Sequence, residues 1–236
     1  MDTWPLDKLI LELKKIKKFS FIKTTHAHQG GVGNTLETFL GIKENNFRTP
    51  DLGVIELKAK RTGSTSMLTL SSKSPLPRSV NKKLFDAYNK KGDDNVYRLY
   101  TTIYGSRKNN RGFRVKLVGN NLVLENPKKI HVYWPLEQID DVLKQGNQKV
   151  VLVWAETKGK LGSKQERFYY NEAYLLSGIS IGKLKQALNS GKLKVDIRIG
   201  ADLTGKAAGK YHDHGTGFRI SKNNYLELFD KYQKLI

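Results

Sequence analysis

The sequence predicts a mixed α/β fold, and three of its features lead there. Leu6, Leu9, Ile10, Leu13 and Ile16 recur at the spacing of one helical face. Lys149 to Glu156 is a continuous apolar run with the length and β-branched content of a central strand. Val195, Ile197 and Ile199 alternate with Asp196 and Arg198, the period of a strand with one covered face.

Taken in order, the first helix opens near Pro5 and carries Lys14, Lys15, Lys17 and Lys18 away from its apolar face. A basic amphipathic helix can also lie on a membrane, but apolar residues all along the chain offer this one a core. After Gly30, Gly31 and Gly33, residues 34–40 read as a second helix with Asn34 as N-cap and Gly41 as its stop. Residues 54–60 read as a strand, and 67–72 as another beyond a Gly/Ser/Thr turn. Pro75, Pro77 and Gly92 mark the next stretch as loop with a short helix around Leu84. From Gly105 to Lys116 there are Arg107, Lys108, Arg111, Arg114 and Lys116 and no acidic residue, which reads as a basic hairpin or loop. The apolar run at 149–156 is expected to pair with 167–176. Residues 180–189 look helical and stop at Gly191, and 193–199 form a strand. Ser221 is expected to cap a final helix carrying Tyr225, Leu228, Phe229, Tyr232 and Leu235. No internal repeat or linker interrupts this order.

Composition then bounds the function. The 236 residues include 42 Lys+Arg against 22 Asp+Glu, a net charge of +20, with 38% hydrophobic residues. Such a chain can bury a core and is not disordered as a whole. It has neither an apolar run of about eighteen residues nor a secretory leader pattern, so it is expected to be soluble, with no membrane partner. The absence of cysteine excludes disulfides, Cys-ligated zinc, iron–sulfur clusters and thiol catalysis. The excess of cations points to a polyanion, because neutralising phosphates takes Lys and Arg in number. An anionic membrane surface would satisfy the charge alone.

Three segments have the form Glu-x-Lys: Glu12 to Lys14, Glu56 to Lys58 and Glu156 to Lys158. A Lys-rich chain yields such tripeptides by composition, so context has to choose among them. On a helix, positions two apart diverge, which removes the first. The third ends a strand but has no Pro-Asp shortly before it. The second lies on a predicted strand, where positions two apart share a face, and Pro50-Asp51 precedes Glu56 by a few residues. Asp51, Glu56 and Lys58 can therefore converge. Two carboxylates suit a hard cation such as Mg²⁺, and a neighbouring Lys can orient or deprotonate a water and stabilise anionic charge. The alternative is that Glu56 and Lys58 are merely the solvated face of an edge strand.

The segments GGVGNTLETFLG (30–41) and PDLGVIELK (50–58), followed by Leu68-Thr69-Leu70 and Lys73-Ser74-Pro75, resemble the core of the MutH-like nucleases. The similarity is strongest to the MvaI/BcnI group of Type II restriction endonucleases. It extends to 194–206 and to 212–220, which look like that group's DNA-reading segments, and it is thin from about 76 to 148. The resemblance implies a PD-(D/E)xK nuclease core, a mixed sheet flanked by helices, with two lobes around a DNA cleft. The expected organisation is a single nuclease domain over 1–236, its catalytic lobe centred on 20–160 and its recognition lobe from about 165–236. By the same resemblance the catalytic residues are Asp51, Glu56 and Lys58, with Asp51 and Glu56 on Mg²⁺, and Glu37 as an additional active-site glutamate. Asn34 and Glu37 would equally make a capping box. GGVGNT lacks the Lys of a P-loop and the third Gly of a dinucleotide fingerprint.

Asp196 and Arg198 share a strand face, and Arg219 lies in the neighbouring segment. An Arg donates bidentately to guanine and an Asp accepts from cytosine, so together they could read a C·G pair. The alternative is a cross-strand ion pair on a solvated face. His212, His214, Lys206 and Ser72 complete the expected DNA contacts, and Ser72 stands where the BcnI side carries a His. The pairs His26/His28 and His212/His214 have a metal-binding spacing but no third-ligand signal for zinc. What the resemblance implies, then, is a Mg²⁺-dependent enzyme that acts on double-stranded DNA as a monomer in the bacterial cytoplasm. It would cut at a CCNGG-like site with a leaning to CCWGG, leaving 5′-phosphates, with a cognate DNA methyltransferase as genetic partner. A MutH-type mismatch-repair nickase and a non-catalytic DNA-binding protein are the alternatives.

Overall fold

The computed structural model describes residues 4–42, 52–201, 210–213 and 215–236. In chain order the elements are α1 (Leu6–Lys18), β1 (Ile22–Lys23), α2 (Gly31–Leu40), β2 (Glu56–Arg61), β3 (Leu68–Ser72) and α3 (Val80–Tyr88). There follow β4 (Lys90–Lys91), β5 (Tyr97–Tyr104), β6 (Arg114–Val118), β7 (Asn121–Glu125), β8 (Tyr133–Pro135) and α4 (Leu136–Asn147). The last third contains β9 (Lys149–Lys158), β10 (Arg167–Ser177), α5 (Ile181–Asn189), β11 (Leu193–Ala201), β12 (Tyr211–Asp213), β13 (Gly217–Ile220), α6 (Lys222–Tyr225) and β14 (Lys231–Lys234).

Two compact units interleave along the chain. The first comprises Met1–Ser66, Lys144–Ile179 and Phe229–Ile236, and the second Met67–Leu143 and Ser180–Leu228. In the first unit the strands run β1–β10–β9–β2, with β14 also on β10. The apolar run 149–156 is the centre of this sheet: Val150 to Val153 are fully buried, and β9 pairs antiparallel with β10 and parallel with β2. Leu9, Leu13 and Ile16 of α1 and Val32, Leu36 and Leu40 of α2 pack on the sheet with Leu57, Val151, Val153 and Phe168. Each such side chain withdrawn from water contributes about 1.5–3 kcal/mol before the entropy of ordering is counted. The helical period of 6–16 and the apolar run of β9 are thus two halves of one core.

In the second unit a six-stranded sheet has the order β3–β13–β11–β5–β4, with β12 on β11, and β6–β7–β8 form a separate antiparallel sheet. Val195, Ile197 and Ile199 of β11, Leu99 and Ile103 of β5 and Phe218 and Ile220 of β13 are buried. Ser180 caps α5 by accepting a bond from Lys183 N–H. No described helix is long and apolar enough to cross a membrane.

Two expected elements come out differently. The helix α2 begins at Gly31, with Gly30 at the cap position, so Asn34 is interior to it. The expected final helix is one turn, Lys222–Tyr225, followed by a 3₁₀ turn over Leu226–Leu228, and the chain then becomes the strand β14. Ser221 sits at the cap position without a side-chain capping bond. Asp230 N–H donates to Ser177 O at 3.0 Å, and residues 231–234 then pair with Tyr174–Ser177. An open strand edge satisfies the backbone there, and helical periodicity gives way to it.

Candidate active site and nucleic-acid interface

Strand β2 opens after a tight turn in which Leu52 N–H donates to Ile55 O at 3.0 Å and Gly53 takes φ +78°. The chain reverses there within four residues, a conformation that glycine adopts without steric cost. Along β2 Leu57 points into the core while Glu56 and Lys58 share the other face. Lys58 Nζ donates to Glu56 Oε1 at 2.8 Å, and their side chains are 17% and 23% exposed. The strand is at the sheet edge, yet this face is largely covered rather than solvated. The other two Glu-x-Lys segments make no such pair. Glu12 bonds Lys15 at 2.7 Å, Glu156 accepts from Asn171, and Lys158 lies over the Phe21 ring. Asp51 lies outside the described residues.

Helix α2 packs against β2 and carries Glu37. With the helix starting at Gly31 the Asn34–Glu37 capping box does not exist, and Asn34 instead accepts at its backbone oxygen from Thr38 Oγ1 at 2.7 Å. Glu37 belongs to the last turn: its carbonyl accepts from Ile42 N–H at 2.9 Å, and Gly41, at φ +70°, closes the helix by donating to Thr38 O. A carboxylate in a C-terminal turn opposes the helix dipole.

One group that positions this site was not legible beforehand. Arg61, the last residue of β2, is 6% exposed and forms a two-pronged pair with the 1%-exposed Glu166, Nε to Oε1 at 2.6 Å and Nη2 to Oε2 at 2.8 Å. Its Nη1 also donates to Gln29 O at 2.7 Å, and Gly162 N–H donates to Glu166 Oε2 at 2.9 Å. Burial pushes the Glu166 carboxyl up, but the hydrogen bonds from Arg61 and Gly162 outweigh it and hold it below the ordinary value. Tyr170 Oη donates to Val32 O at 2.8 Å, tying the first turn of α2 to β10. The strand bearing Glu56 and Lys58 and the segment leading into α2 are thereby fixed to one buried ion pair.

In the second unit the six-stranded sheet turns a polar face outward. Alternation puts Lys194, Asp196, Arg198 and Gly200 of β11 on it, and register adds Gly217 opposite Asp196, Ser72 opposite Gly217, Tyr100 opposite Arg198, Thr102 opposite Asp196 and His212 opposite Gly200. Arg219 Nη1 donates to Asp196 Oδ2 at 2.7 Å and Nη2 to Met67 O at 3.3 Å. A Cβ placed on Gly217 would touch Arg219 Cγ at 3.5 Å and Arg198 Nη2 at 3.6 Å, so both arginines pass over this one glycine. Among the described residues, Arg198 Nε, Arg219 Nε and Asp196 Oδ1 are buried without a hydrogen-bond partner. Leaving such atoms unpaired costs about 1–3 kcal/mol each.

The structure therefore gathers Ser72, Asp196, Arg198, His212 and Arg219 on one face. Asp196 is 5% exposed and has one oxygen, Oδ2, engaged by Arg219. The cross-strand ion pair exists, but it is buried rather than solvated. His214 and Lys206 lie outside the described residues. Tyr100 and Thr102 were missed, although Leu99 and Ile103 alternate with their neighbours in a way that marks β5 as a half-covered strand. Among the described residues no group of three His, Asp or Glu is placed to hold a metal ion.

The model of the MvaI/BcnI restriction endonuclease family matches residues 10–229. Among solved structures, the chain is similar to restriction endonuclease MvaI in its cognate DNA substrate complex, with 30% identity, a TM-score of 0.86 and 98% of each chain covered. It is also similar to restriction endonuclease MvaI in the absence of DNA, with 29% identity, a TM-score of 0.59 and 100% of each chain covered. No curated protein matches.

Proposed function

This chain belongs to the MvaI/BcnI restriction endonuclease family, and on that premise we propose that it is a Type II enzyme that hydrolyses the phosphodiesters of double-stranded DNA at a short CCNGG-like site with an A/T central pair. It acts as a monomer on one strand and then the other, leaves 5′-phosphates, and works in the bacterial cytoplasm beside a methyltransferase of the same specificity. The observation that carries the reading is the Glu56–Lys58 pair, closed at 2.8 Å on a largely covered strand face.

A carboxylate and an ammonium in that arrangement serve phosphodiester hydrolysis. The donor chemistry fits a hard cation, since Mg²⁺ takes one or two carboxylates and keeps several waters. Glu56 and Asp51 would hold it, and when bound it neutralises charge on the phosphate and lowers the pKa of an attacking water. Lys58 orients that water or takes its proton, and its charge stabilises the anionic transition state. Glu37 serves as the additional active-site carboxylate. The first compact unit cuts and the second reads, within a single nuclease domain. Arg198 and Arg219 donate to guanine edges, Asp196 fixes the Arg219 fork, and Ser72, His212, His214 and Lys206 complete the contacts to base or backbone.

The test is to digest plasmid with the pure protein in Mg²⁺ and sequence the ends. Cuts in both strands at one short sequence, with 5′-phosphate ends and full inhibition by chelator, are expected. Nicks in one strand alone would favour a mismatch-repair type of nickase, and site binding without cleavage would overturn the catalytic reading.

A further inference from the structure

The β6–β7 hairpin in the second unit carries a pocket of about 650 Å³ that is separate from the six-stranded sheet. Positions two apart on β6 share a face, so Arg114 and Lys116 stand together on the pocket side while Val115 between them is fully buried. Lys108 from the preceding loop and Lys129 and His131 from the loop after β7 complete the lining. Four cations face a single carboxylate, Glu125, a net charge of +3 with His131 neutral. Lys116 Nζ meets Glu125 Oε1 at 2.5 Å, and Arg114 Nε is spent on Gly105 O at 2.9 Å. Among the described residues, the side-chain nitrogens of Lys108 and Lys129 and the terminal nitrogens of Arg114 have no hydrogen-bond partner.

Like charges converging on a concavity repel one another, and one carboxylate offsets only one of them. The complementary ligand is an oxyanion with several acceptor oxygens, which a guanidinium fork and flexible ammonium groups bind together. We propose that this pocket is a phosphate-binding site that grips backbone phosphates of the DNA duplex beyond the recognised sequence. The site adds affinity without sequence preference, since phosphate contacts fix register and carry no base information. It rests on the reading of the chain as a DNA endonuclease for the identity of its ligand, while the phosphate chemistry rests on the pocket alone.

The test uses Lys108→Gln with Lys129→Gln, two exposed positions whose loss spares the fold, and separately Arg114→Gln. Affinity is measured against salt concentration for a long duplex and for a short duplex that ends at the recognised sequence. For the double variant the slope of log affinity against log salt should fall by about 2 on the long duplex, roughly 0.9 per lost phosphate contact, with no change on the short one and an unchanged specificity ratio. Inorganic tripolyphosphate is titrated in parallel by calorimetry. Tripolyphosphate binding that the variants lose, with the duplex slope unchanged, would mean that the pocket takes free polyphosphate and would overturn the DNA assignment. Unchanged behaviour in both assays would overturn the phosphate site altogether. Should the double variant show the expected slope change while the wild type never cuts in Mg²⁺, the nuclease reading fails and the phosphate site stands.

Discussion

Asp196 Oδ2 accepts from Arg219 Nη1 at 2.7 Å between neighbouring strands, and the residue that accepts is 5% exposed. Among the described residues Arg198, on the same face, has no such carboxylate, and its Nε is buried and has no partner. The two arginines therefore stand to lose different things. Arg198→Ala should cut the preference for the cognate site by roughly fivefold to over a hundredfold, the value of a good bidentate base contact, with little effect on melting temperature. Arg219→Ala should lose that preference and also about 1–3 kcal/mol of stability, because it strands a buried carboxylate. Paired measurements of cognate and nonspecific affinity at one salt concentration, with thermal denaturation of both variants, decide it. A wild-type specificity ratio in Arg198→Ala would remove base reading from this face.

At the Glu56–Lys58 pair, chemistry and stability separate. The pair is not fully buried, so breaking it costs about 1 kcal/mol. Glu56→Gln and Lys58→Met should therefore melt close to the wild type and still bind cognate DNA, while cleavage falls by roughly a hundredfold or more, the loss typical of an acid–base group. Asp51→Asn is expected to behave as Glu56→Gln does. Supercoiled-plasmid cleavage and equilibrium binding in Mg²⁺ give both readouts. Unimpaired cutting by Glu56→Gln would move the site to Glu156 and Lys158.

Glu37 presents the clearest conflict between a local rule and its position. Its carboxylate lies in the last turn of α2, where an anion is unfavourable by about 0.3–1 kcal/mol, and the capping role that would have excused it is gone. Glu37→Gln should leave stability unchanged or slightly raised in urea denaturation while slowing cleavage. A variant that is less stable but fully active would make Glu37 a structural residue.

How far the sequence could be read depended on whether local or distant contacts decided each element. The apolar run of β9, the alternation of β11 and the Glu56-x-Lys58 spacing are local patterns, and the structure keeps all three. The start of α2 is not local. Three glycines read as loop, but a Cβ on Gly31 would collide with the His26 backbone oxygen, so close packing against the preceding segment demands glycine inside a helix turn. The strand β14 follows from an edge of β10 far away in sequence. The arginine fork on Glu166 spans 105 residues, and no spacing rule reaches that far. In the basic pocket Lys108, Arg114 and Lys116 stood out as a run, whereas Lys129 and His131 join them only through the hairpin.

The Arg61–Glu166 pair sets an acid limit on the fold and on the site together. Burial raises the Glu166 carboxyl, and the hydrogen bonds from Arg61 and Gly162 lower it further than burial raises it, so its folded pKa lies below the ordinary value of 4.5. A carboxylate depressed on folding contributes stability that is fully present above that ordinary value and is lost as pH falls through it toward the folded pKa. Glu166→Gln removes the titration and leaves the Arg61 guanidinium buried without its counter-charge, at a cost of about 3–5 kcal/mol near neutrality. Between roughly pH 3 and pH 7 the wild-type melting temperature should thus fall steeply at the acid end, while Glu166→Gln starts lower and changes less, so that the two curves converge. Because Arg61 also holds Gln29 O ahead of α2 and sits three residues beyond Lys58 on β2, the variant should lose cleavage before it unfolds. Parallel pH profiles for the two proteins would show that Glu166 is not the group that titrates, and full activity in a destabilised Glu166→Gln would show that the pair supports the fold without positioning the site.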